Sequence, residues 1–326
     1  MSSISRRTFV GTTFSACAAA LVSRPTLAAD TQGADAKVAA VEPIIDIHQH
    51  TNYHDRTNTR LLAHQRAMGA TQTILLPAGS SVRRPSTNDG KYNGLGGVRA
   101  GGNDSCAEMA AAHPKEFYTG ANEVTDLPEA REVIEARLKA GAVIIGEQKF
   151  TIELDSPQSR ILYALAAEYD VPILLHFQHA TYNTGFERLS SILEKFPKTN
   201  FIGHAQTFWA NIDKSHENQA DLYPKGKKIT PGGLTDRFMN DYPNLYADMS
   251  AGSGLNAITR DEDHARGFLE RHQDRLLFGS DCNDDVGVGP KCSGSQMLAA
   301  IRRLSASKEI ERKILYGNAK KLFRLA

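Results

Sequence analysis

Short apolar runs alternate with stretches of helical periodicity along most of this chain. Within Val41–His48, Pro43-Ile44-Ile45-Asp46-Ile47-His48 has strand character, since β-branched residues dominate a run too short for a helix. Thr59–Met68 reads as a helix that Gly69 can end. Gln72–Leu76 is a second strand, stopped by Pro77. Residues 77–102 are rich in Gly, Ser, Arg and Asn and read as a long loop, a kind of segment that tends to be functional inside a compact domain. A helix over Asn103–Ala112, a strand over Phe117–Ala121, a helix over Pro128–Ala140 and a strand over Val143–Glu147 follow.

The alternation continues with a helix over Pro157–Tyr169 and a strand over Val171–His176. A helix over Gly185–Phe196 and a strand over Asn200–His204 lead into a loop through residues 205–230. Leu234–Asp241 is helical, Asn244–Asp248 extended, Asp263–His272 helical and Arg275–Asp281 extended. Helices over Ser295–Leu304 and Lys308–Leu325 close the chain. Eight short strands separated by helices predict an α/β fold with a parallel sheet, and a (β/α)8 TIM-like barrel is the natural closure at eight. An open doubly wound sheet is the rival. No G-x-G-x-x-G follows a strand, which weakens its dinucleotide-binding version.

The N-terminus breaks this pattern. Ser5-Arg6-Arg7-Thr8-Phe9-Val10 reads as a twin-arginine export motif, followed by a weakly apolar run and the small residues of Thr26-Leu27-Ala28-Ala29. Residues 1–29 are therefore expected to be a signal peptide and residues 30–326 a single barrel domain. The expected location is the periplasm, without lipid attachment at Cys17. Twin-arginine export carries folded proteins, which mildly favours a cofactor acquired beforehand.

Composition narrows the partners. The 326 residues hold 38 bases and 37 acids, and removing the leader leaves 35 against 37. This balance gives no electrostatic reason to expect nucleic acid or an anionic membrane. Only the N-terminus carries a long apolar stretch, so no integral membrane domain is expected. A small-molecule substrate is the expected partner, and a homo-oligomer stays open. Cys106, Cys282 and Cys292 remain beyond the leader. In an oxidising compartment a Cys282–Cys292 bridge would close a short loop, with three buried thiols as the alternative. No cysteine pair has zinc-finger spacing.

The informative residues are polar ones at strand ends. His48, His176, His204 and Asp281 each end a predicted strand, and His50 lies two residues past His48. In a barrel these ends converge on one face. Strand alternation puts His48 and His50 on the same side. Imidazoles plus a carboxylate make a site for a borderline metal ion. One such histidine alone is more often a hydrogen-bonded core residue; four strand ends together are not. His54, His64, His113, His216, His264 and His272 lack this placement and read as surface or loop residues. His179 could face substrate or make a local hydrogen bond. Glu147 and Lys149 share one side of the fourth strand, as second-metal ligands or as an ordinary ion pair. Arg83, Arg84, Lys91 and Arg99, with Trp209, Tyr223 and the lysines of 205–230, could bind a carboxylated or aromatic substrate, or could simply be solvated.

With these residues in view the chain resembles the amidohydrolase superfamily, in its amidohydrolase-related branch of metal-dependent decarboxylases and lactonases. The resemblance covers about residues 43–325. It rests on Ile45-Asp46-Ile47-His48-Gln49-His50, Pro172–His176, Phe201-Ile202-Gly203-His204, Asn244–Asp248, Phe278-Gly279-Ser280-Asp281 and Leu315–Ala319. It implies a distorted (β/α)8 barrel whose divalent metal, Zn2+ or alternatively Mn2+, is held by His48, His50, His176 and Asp281. His204 would stand beside the reacting group, with Glu147, Lys149 and His204 as candidates for a second metal. Gly146-Glu147 is similar to hydrolytic members with a fourth-strand Glu ligand. Many decarboxylating members carry Glu or Ala before the first His pair and a Gly-rich stretch after the sixth-strand His; this chain has Asp46 and Ala205-Gln206. The expected reaction is hydrolysis of an ester, lactone or amide, with Asp281 as general base and His204 beside the oxyanion. Decarboxylation of a small carboxylic acid is the alternative, and a non-catalytic exported binding protein is the third reading.

Overall fold

The computed structural model describes residues 42–81, 86–87, 94–226 and 228–325. The expected signal peptide, its boundary and Cys17 lie outside them, as do Arg83, Arg84 and Lys91.

Among the described residues eight parallel strands run in chain order: β1 Ile45–Gln49, β2 Gln72–Leu75, β3 Phe117–Thr119, β4 Ile145–Gln148, β5 Ile173–His176, β6 Phe201–His204, β7 Leu245–Asp248 and β8 Leu276–Leu277. They form two sheets, β1-β2-β3 and β4-β5-β6-β7-β8. Backbone hydrogen bonds span both seams: Ala121 N to Ile144 O at one, Ile47 N to Phe278 O at the other. The connecting helices are α1 Asn58–Met68, α2 Asn103–Ala112, α3 Ala130–Lys139, α4 Pro157–Tyr169, α5 Leu189–Lys195, α6 Gln206–Ala210, α7 Leu234–Asp241, α8 Ala251–Thr259, α9 Glu262–Arg271, α10 Ser293–Leu304, α11 Lys308–Arg312 and α12 Asn318–Phe323. This is the (β/α)8 architecture. Among the described residues no helix is long and apolar enough to cross a membrane.

Local chemistry explains several boundaries. Ser156 Oγ accepts the Ser159 N–H at 3.0 Å and Pro157 starts α4 with its φ preset. Thr57 and Asp261 cap α1 and α9 in the same way. Two helices escape the sequence pattern, α6 and α8. Ala-Gly-Ser-Gly at the start of α8 carries two glycines and a serine, poor helix formers, yet Ser253, Gly254, Ala257 and Ile258 are buried there, so tertiary packing overrides weak helix propensity. The expected eighth strand, Arg275–Asp281, pairs only at Leu276–Leu277. Beyond Leu277 its amides find other partners: Phe278 N donates to Ile314 O, Ser280 N to an Asp46 carboxylate oxygen, and Asp281 N to His48 O.

The barrel interior is built in layers. Ile45, Ile47, Ile74, Leu76, Ile144, Leu174, Ile202 and Leu277 form an apolar floor, backed by Ala319, Phe323 and Leu325. A larger core fills the space between strands and helices, with Leu175, Phe177, Phe201 and Leu245 on the outward strand faces. Each buried side chain of this kind stabilises by roughly 1.5–3 kcal/mol. That floor offsets the cost of the polar layer above it.

Candidate metal centre

Period-two alternation carries three donors inward directly above the floor. Leu174 and Ile202 face the interior, so His176 and His204, two residues on, face it too; they are register partners across β5 and β6. Asp248 stands likewise at the end of β7. β1 reaches the same place by a different route. Ile45 and Ile47 face the floor, whereas Asp46 and Gln49 turn outward to Gln65, Ser280 and Cys282. The β1–β2 register slips between Asp46 and Gln49, and this bulge aims both His48 and His50 into the centre. The β4–β5 register slips in the same way between Ile145 and Gln148, around Glu147.

Seven side chains meet there: His48, His50, Glu147, His176, His204, Asp248 and Asp281. His48 Nε2 and His50 Nε2 are 3.2 Å apart. Glu147 Oε2 lies 3.4 Å and 3.5 Å from them, and Asp281 Oδ1 3.8 Å and 3.4 Å. On the other side, Glu147 Oε1 lies 2.5 Å from His176 Nδ1 and 3.6 Å from His204 Nε2. Asp281 Oδ2 is 3.6 Å from His204 Nε2. Asp281 sits in the left-handed region at φ 42°, which Asp tolerates better than most residues.

Hydrogen bonds set the imidazole tautomers. His50 Nδ1 donates to the Leu76 carbonyl at 2.7 Å, and His48 Nδ1 donates to Asp248 Oδ2 at 2.6 Å. Their Nε2 lone pairs therefore face each other and the two carboxylates. Among the described residues, Glu147 Oε2 and Asp281 Oδ1 find no hydrogen-bond partner, though both are buried. Two imidazole nitrogens and two carboxylate oxygens converge there, a buried donor set suited to a cation. About 3.3 Å separates ligand atoms placed 2.0–2.1 Å from a tetrahedral ion, close to the spacing observed. The donor set fits a divalent metal of borderline character.

Electrostatics agrees. Burial disfavours ionised His48, but Asp281, Asp248 and Glu147 outweigh it and raise its pKa well above the usual value. Burial also opposes ionised Asp281; His48 and His50 overcome it and bring the carboxyl down to about 2. Glu147 is held well below the ordinary range against the same penalty, by Lys149 and then His176 and His48. Burial, then Lys149, lowers His176 to about 4.

Lys149 thus acts on this centre through its charge, with Nζ lying 5.9 Å from the Tyr182 ring. Asp248 is the residue that the sequence reading left out. Its Oδ2 accepts from His48 Nδ1 and from Ser250 Oγ at 2.8 Å and lies 3.1 Å from His204 Nδ1, which donates to Ser250 Oγ at 3.1 Å. It obeys the same strand-end rule as the others and could have been found by it. Ser250 lies beyond the strand and gave no such signal. Behind them Gly279 leaves room that no other residue could: a Cβ there would lie 2.5 Å from Asp248 Oδ1 and 3.0 Å from His48 Cβ.

Other expectations need correction. Trp209 is fully buried and donates through Nε1 to Asp248 O, so it supports the site from behind and cannot touch substrate. His64 and His272 are buried, not on the surface. Cys282 and Cys292 are free thiols with sulfurs 3.5 Å apart, well beyond the roughly 2.05 Å of a bridge. Arg99 is paired with Asp55, and Tyr223 is exposed, its hydroxyl accepting from Gln206. His179 is exposed, its backbone N–H bonded to Thr207 Oγ1. It lines a cavity of about 460 Å³ with Phe177, Gln178 and Phe186, a space none of the seven central side chains borders.

The amidohydrolase family profile matches residues 45–325. Among solved structures, 2,6-dihydroxybenzoate decarboxylase from Rhizobium is similar at 19% identity, covering 87% of this chain and 99% of that one, with a TM-score of 0.55. A probable 2-pyrone-4,6-dicarboxylic acid hydrolase from Acinetobacter baumannii is similar at 12% identity over 86% and 99%, with a TM-score of 0.54. A dihydroxybenzoic acid decarboxylase from Polaromonas with bound manganese is similar at 17% identity over 87% and 97%, with a TM-score of 0.52. These likenesses concern the fold. A comparison with curated proteins finds no match.

Proposed function

The chain belongs to the amidohydrolase family, and from that premise we propose that it hydrolyses an ester, lactone or amide bond of a small molecule. The observation carrying this reading is the division of Glu147. One carboxylate oxygen faces His48 and His50, and the other faces His176 and His204. His48, His50 and Asp281 would hold one divalent ion, His176 and His204 a second, and Glu147 would bridge them. Bound there, divalent metal supplies a water acidic enough to attack at neutral pH and a Lewis acid for a carbonyl oxygen.

The chain's own residues do the rest. Asp281 accepts the proton of the attacking water and returns it to the leaving group. Asp248 and Ser250 fix the His48 and His204 rings, so both Nε2 atoms stay aimed at the reacting centre. Tyr53 lies edge-on to His50 and keeps its phenol protonated, because burial and then Asp281 and Glu147 oppose its ionisation. Zn2+ suits the nitrogen-rich donor set, with Mn2+ as the alternative. The same proposal puts the mature enzyme in the periplasm, on the strength of Ser5–Val10.

The decarboxylase names among the similar structures favour a second reading, in which His204 or Asp281 protonates the carbon that loses CO2. Metal-stripped protein should be reloaded with Zn2+ or Mn2+ and offered ester, lactone and aromatic-acid panels. Metal-dependent acid release without CO2 is expected. Metal-dependent CO2 release would overturn hydrolysis in favour of decarboxylation, and stoichiometric binding without product would make the chain a binding protein.

A further inference from the structure

We propose that His64, Cys282, Asp284 and Cys292 form a second, structural metal site that takes Zn2+ and ties the loop after β8 to α1. Their donor atoms lie within 4.8 Å of one another. His64 Nε2 is 3.3 Å from Cys282 Sγ, 3.7 Å from Cys292 Sγ and 3.0 Å from Asp284 Oδ2, and the two sulfurs are 3.5 Å apart. Zn–S bonds of about 2.3 Å and Zn–N or Zn–O bonds of about 2.0–2.1 Å put tetrahedral ligand atoms roughly 3.3–3.8 Å apart. His64, Cys282 and Cys292 are buried and Asp284 is mostly so.

Three of the four donors are aimed by contacts outside the cluster. Gln65 Nε2 donates to Asp46 Oδ2 and Thr73 Oγ1, which leaves Gln65 Oε1 as the acceptor for His64 Nδ1–H at 2.9 Å. The His64 Nε2 lone pair therefore points at Asp284 and the sulfurs. Asp284 Oδ1 accepts from the Val286 and Gly287 N–H groups at 2.9 and 2.8 Å, leaving Oδ2 for the cluster. Cys292 caps α10, where Ser295 N–H donates to its sulfur at 3.3 Å; a helix N-terminus favours thiolate.

Charge also balances. Two thiolates, one carboxylate and Zn2+ sum to −1. The buried Arg56 guanidinium lies alongside, donating to Cys282 O and Asp284 O at 2.9 Å each. Four protein ligands leave no open position, which marks a structural site rather than a catalytic one. Cys282 directly follows Asp281, so fixing it would hold Asp281 in its left-handed conformation. Metal binding would release the thiol protons to solvent, and no redox partner is required.

Cobalt separates this site from the strand-end centre, because only thiolate ligands give a near-ultraviolet charge-transfer band. The metal-stripped full chain titrated with Co2+ is expected to show that band, with a final amplitude that corresponds to one cobalt–thiolate centre per chain. It should persist in a His48→Ala/His50→Ala variant and vanish in Cys282→Ser/Cys292→Ser. Zinc content should fall by one equivalent in the cysteine variant. Should that variant fail to fold, His64→Ala keeps both thiols and is expected to weaken Co2+ at least about tenfold. No band in the wild type, or a band surviving loss of both cysteines, would overturn the proposal. So would untreated protein lighter by two hydrogens in which Cys282 and Cys292 resist alkylation, the mark of a disulfide. Loss of hydrolase activity alone bears on the strand-end centre and leaves this readout untouched.

Discussion

Two donor clusters meet at the Asp281–Cys282 peptide, and they are made in opposite ways. The barrel centre draws one or two groups from each of several strand ends, with nitrogen and oxygen atoms only. The neighbouring cluster takes one helix residue and three from a single loop, two of them sulfur. In the first, the sheet fixes position: residues one pleat above Leu174 and Ile202 must face inward. In the second, nothing regular fixes position, and hydrogen bonds with Gln65, Arg56 and the backbone at the α10 N-terminus do it instead. A barrel therefore supplies a centre that tolerates change in its loops, whereas a loop cluster depends on every contact that holds the loop.

The sharpest way to break this contrast is Asp281→Asn. Asn also tolerates a left-handed backbone, so the fold should persist. Turnover should fall about 10²–10³-fold, the equivalent of roughly 2.7–4 kcal/mol of barrier, while the cobalt–thiolate band stays. Steady-state kinetics on a confirmed substrate, beside circular dichroism, checks it. Unchanged turnover would remove Asp281 from proton transfer. Next comes Asp248→Asn, which loosens two rings without removing a ligand. Metal affinity of the centre should drop about 10–100-fold, read by competition with a chelator; a native affinity would mean that the strand ends alone orient His48 and His204.

A smaller effect is expected in the loop. Gly287 has φ 79°, and a Cβ there would run into the His64 carbonyl oxygen. Gly287→Ala should cost about 1–2 kcal/mol by urea unfolding. It should weaken the cobalt–thiolate band and leave the metal content of the His48–His50 centre unchanged. Equal loss at both clusters would show that the strand-end centre is not independent of the loop.

The same difference explains what could be read from the sequence. Strand-end placement brought out His48, His50, Glu147, His176, His204 and Asp281, because alternation and barrel convergence are properties of the backbone. It could equally have brought out Asp248, which ends β7 as plainly as His204 ends β6. The bulge that turns His48 inward after Ile47 left no mark in the pattern, since a register slip depends on the partner strand. His64 read as a surface residue because it sits mid-helix, where the sequence cannot say which neighbour covers it. Cys282 and Cys292 were visible only as a pair that could bridge. Their relation to His64 spans 218 and 228 positions, and their meeting with Asp284 passes through a loop closure that no periodicity encodes. Trp209 misled for a related reason: α6 is too short to show a period, and only packing reveals that the ring lies under Asp248.

A charged group outside both clusters provides the baseline for the comparison, and it carries the smallest expected effect. Asp236 on α7 accepts from His272 Nε2 at 2.7 Å and from Arg271 Nη2 at 3.0 and 3.1 Å. Here donors match acceptors and no cation is called for. Burial opposes ionised Asp236, but the hydrogen bonds from His272 and Arg271 prevail and hold it at about 2. A carboxyl with a depressed folded pKa stabilises above its unfolded pKa of about 3.9, and that stability is lost as pH falls toward 2. The shift alone corresponds to roughly 2.5 kcal/mol. Arg271 is 46% exposed, and solvent screening reduces the figure to about 1 kcal/mol. Asp236→Asn should therefore lie about 1 kcal/mol below the wild type in urea unfolding at pH 7, and the gap should close between pH 4 and 2 (approximately, following the two pKa values). Metal content at both clusters should not change. Parallel stability curves across that range would mean the pair adds nothing to folding, and that ionised side chains in this molecule matter only where lone pairs stand unmatched.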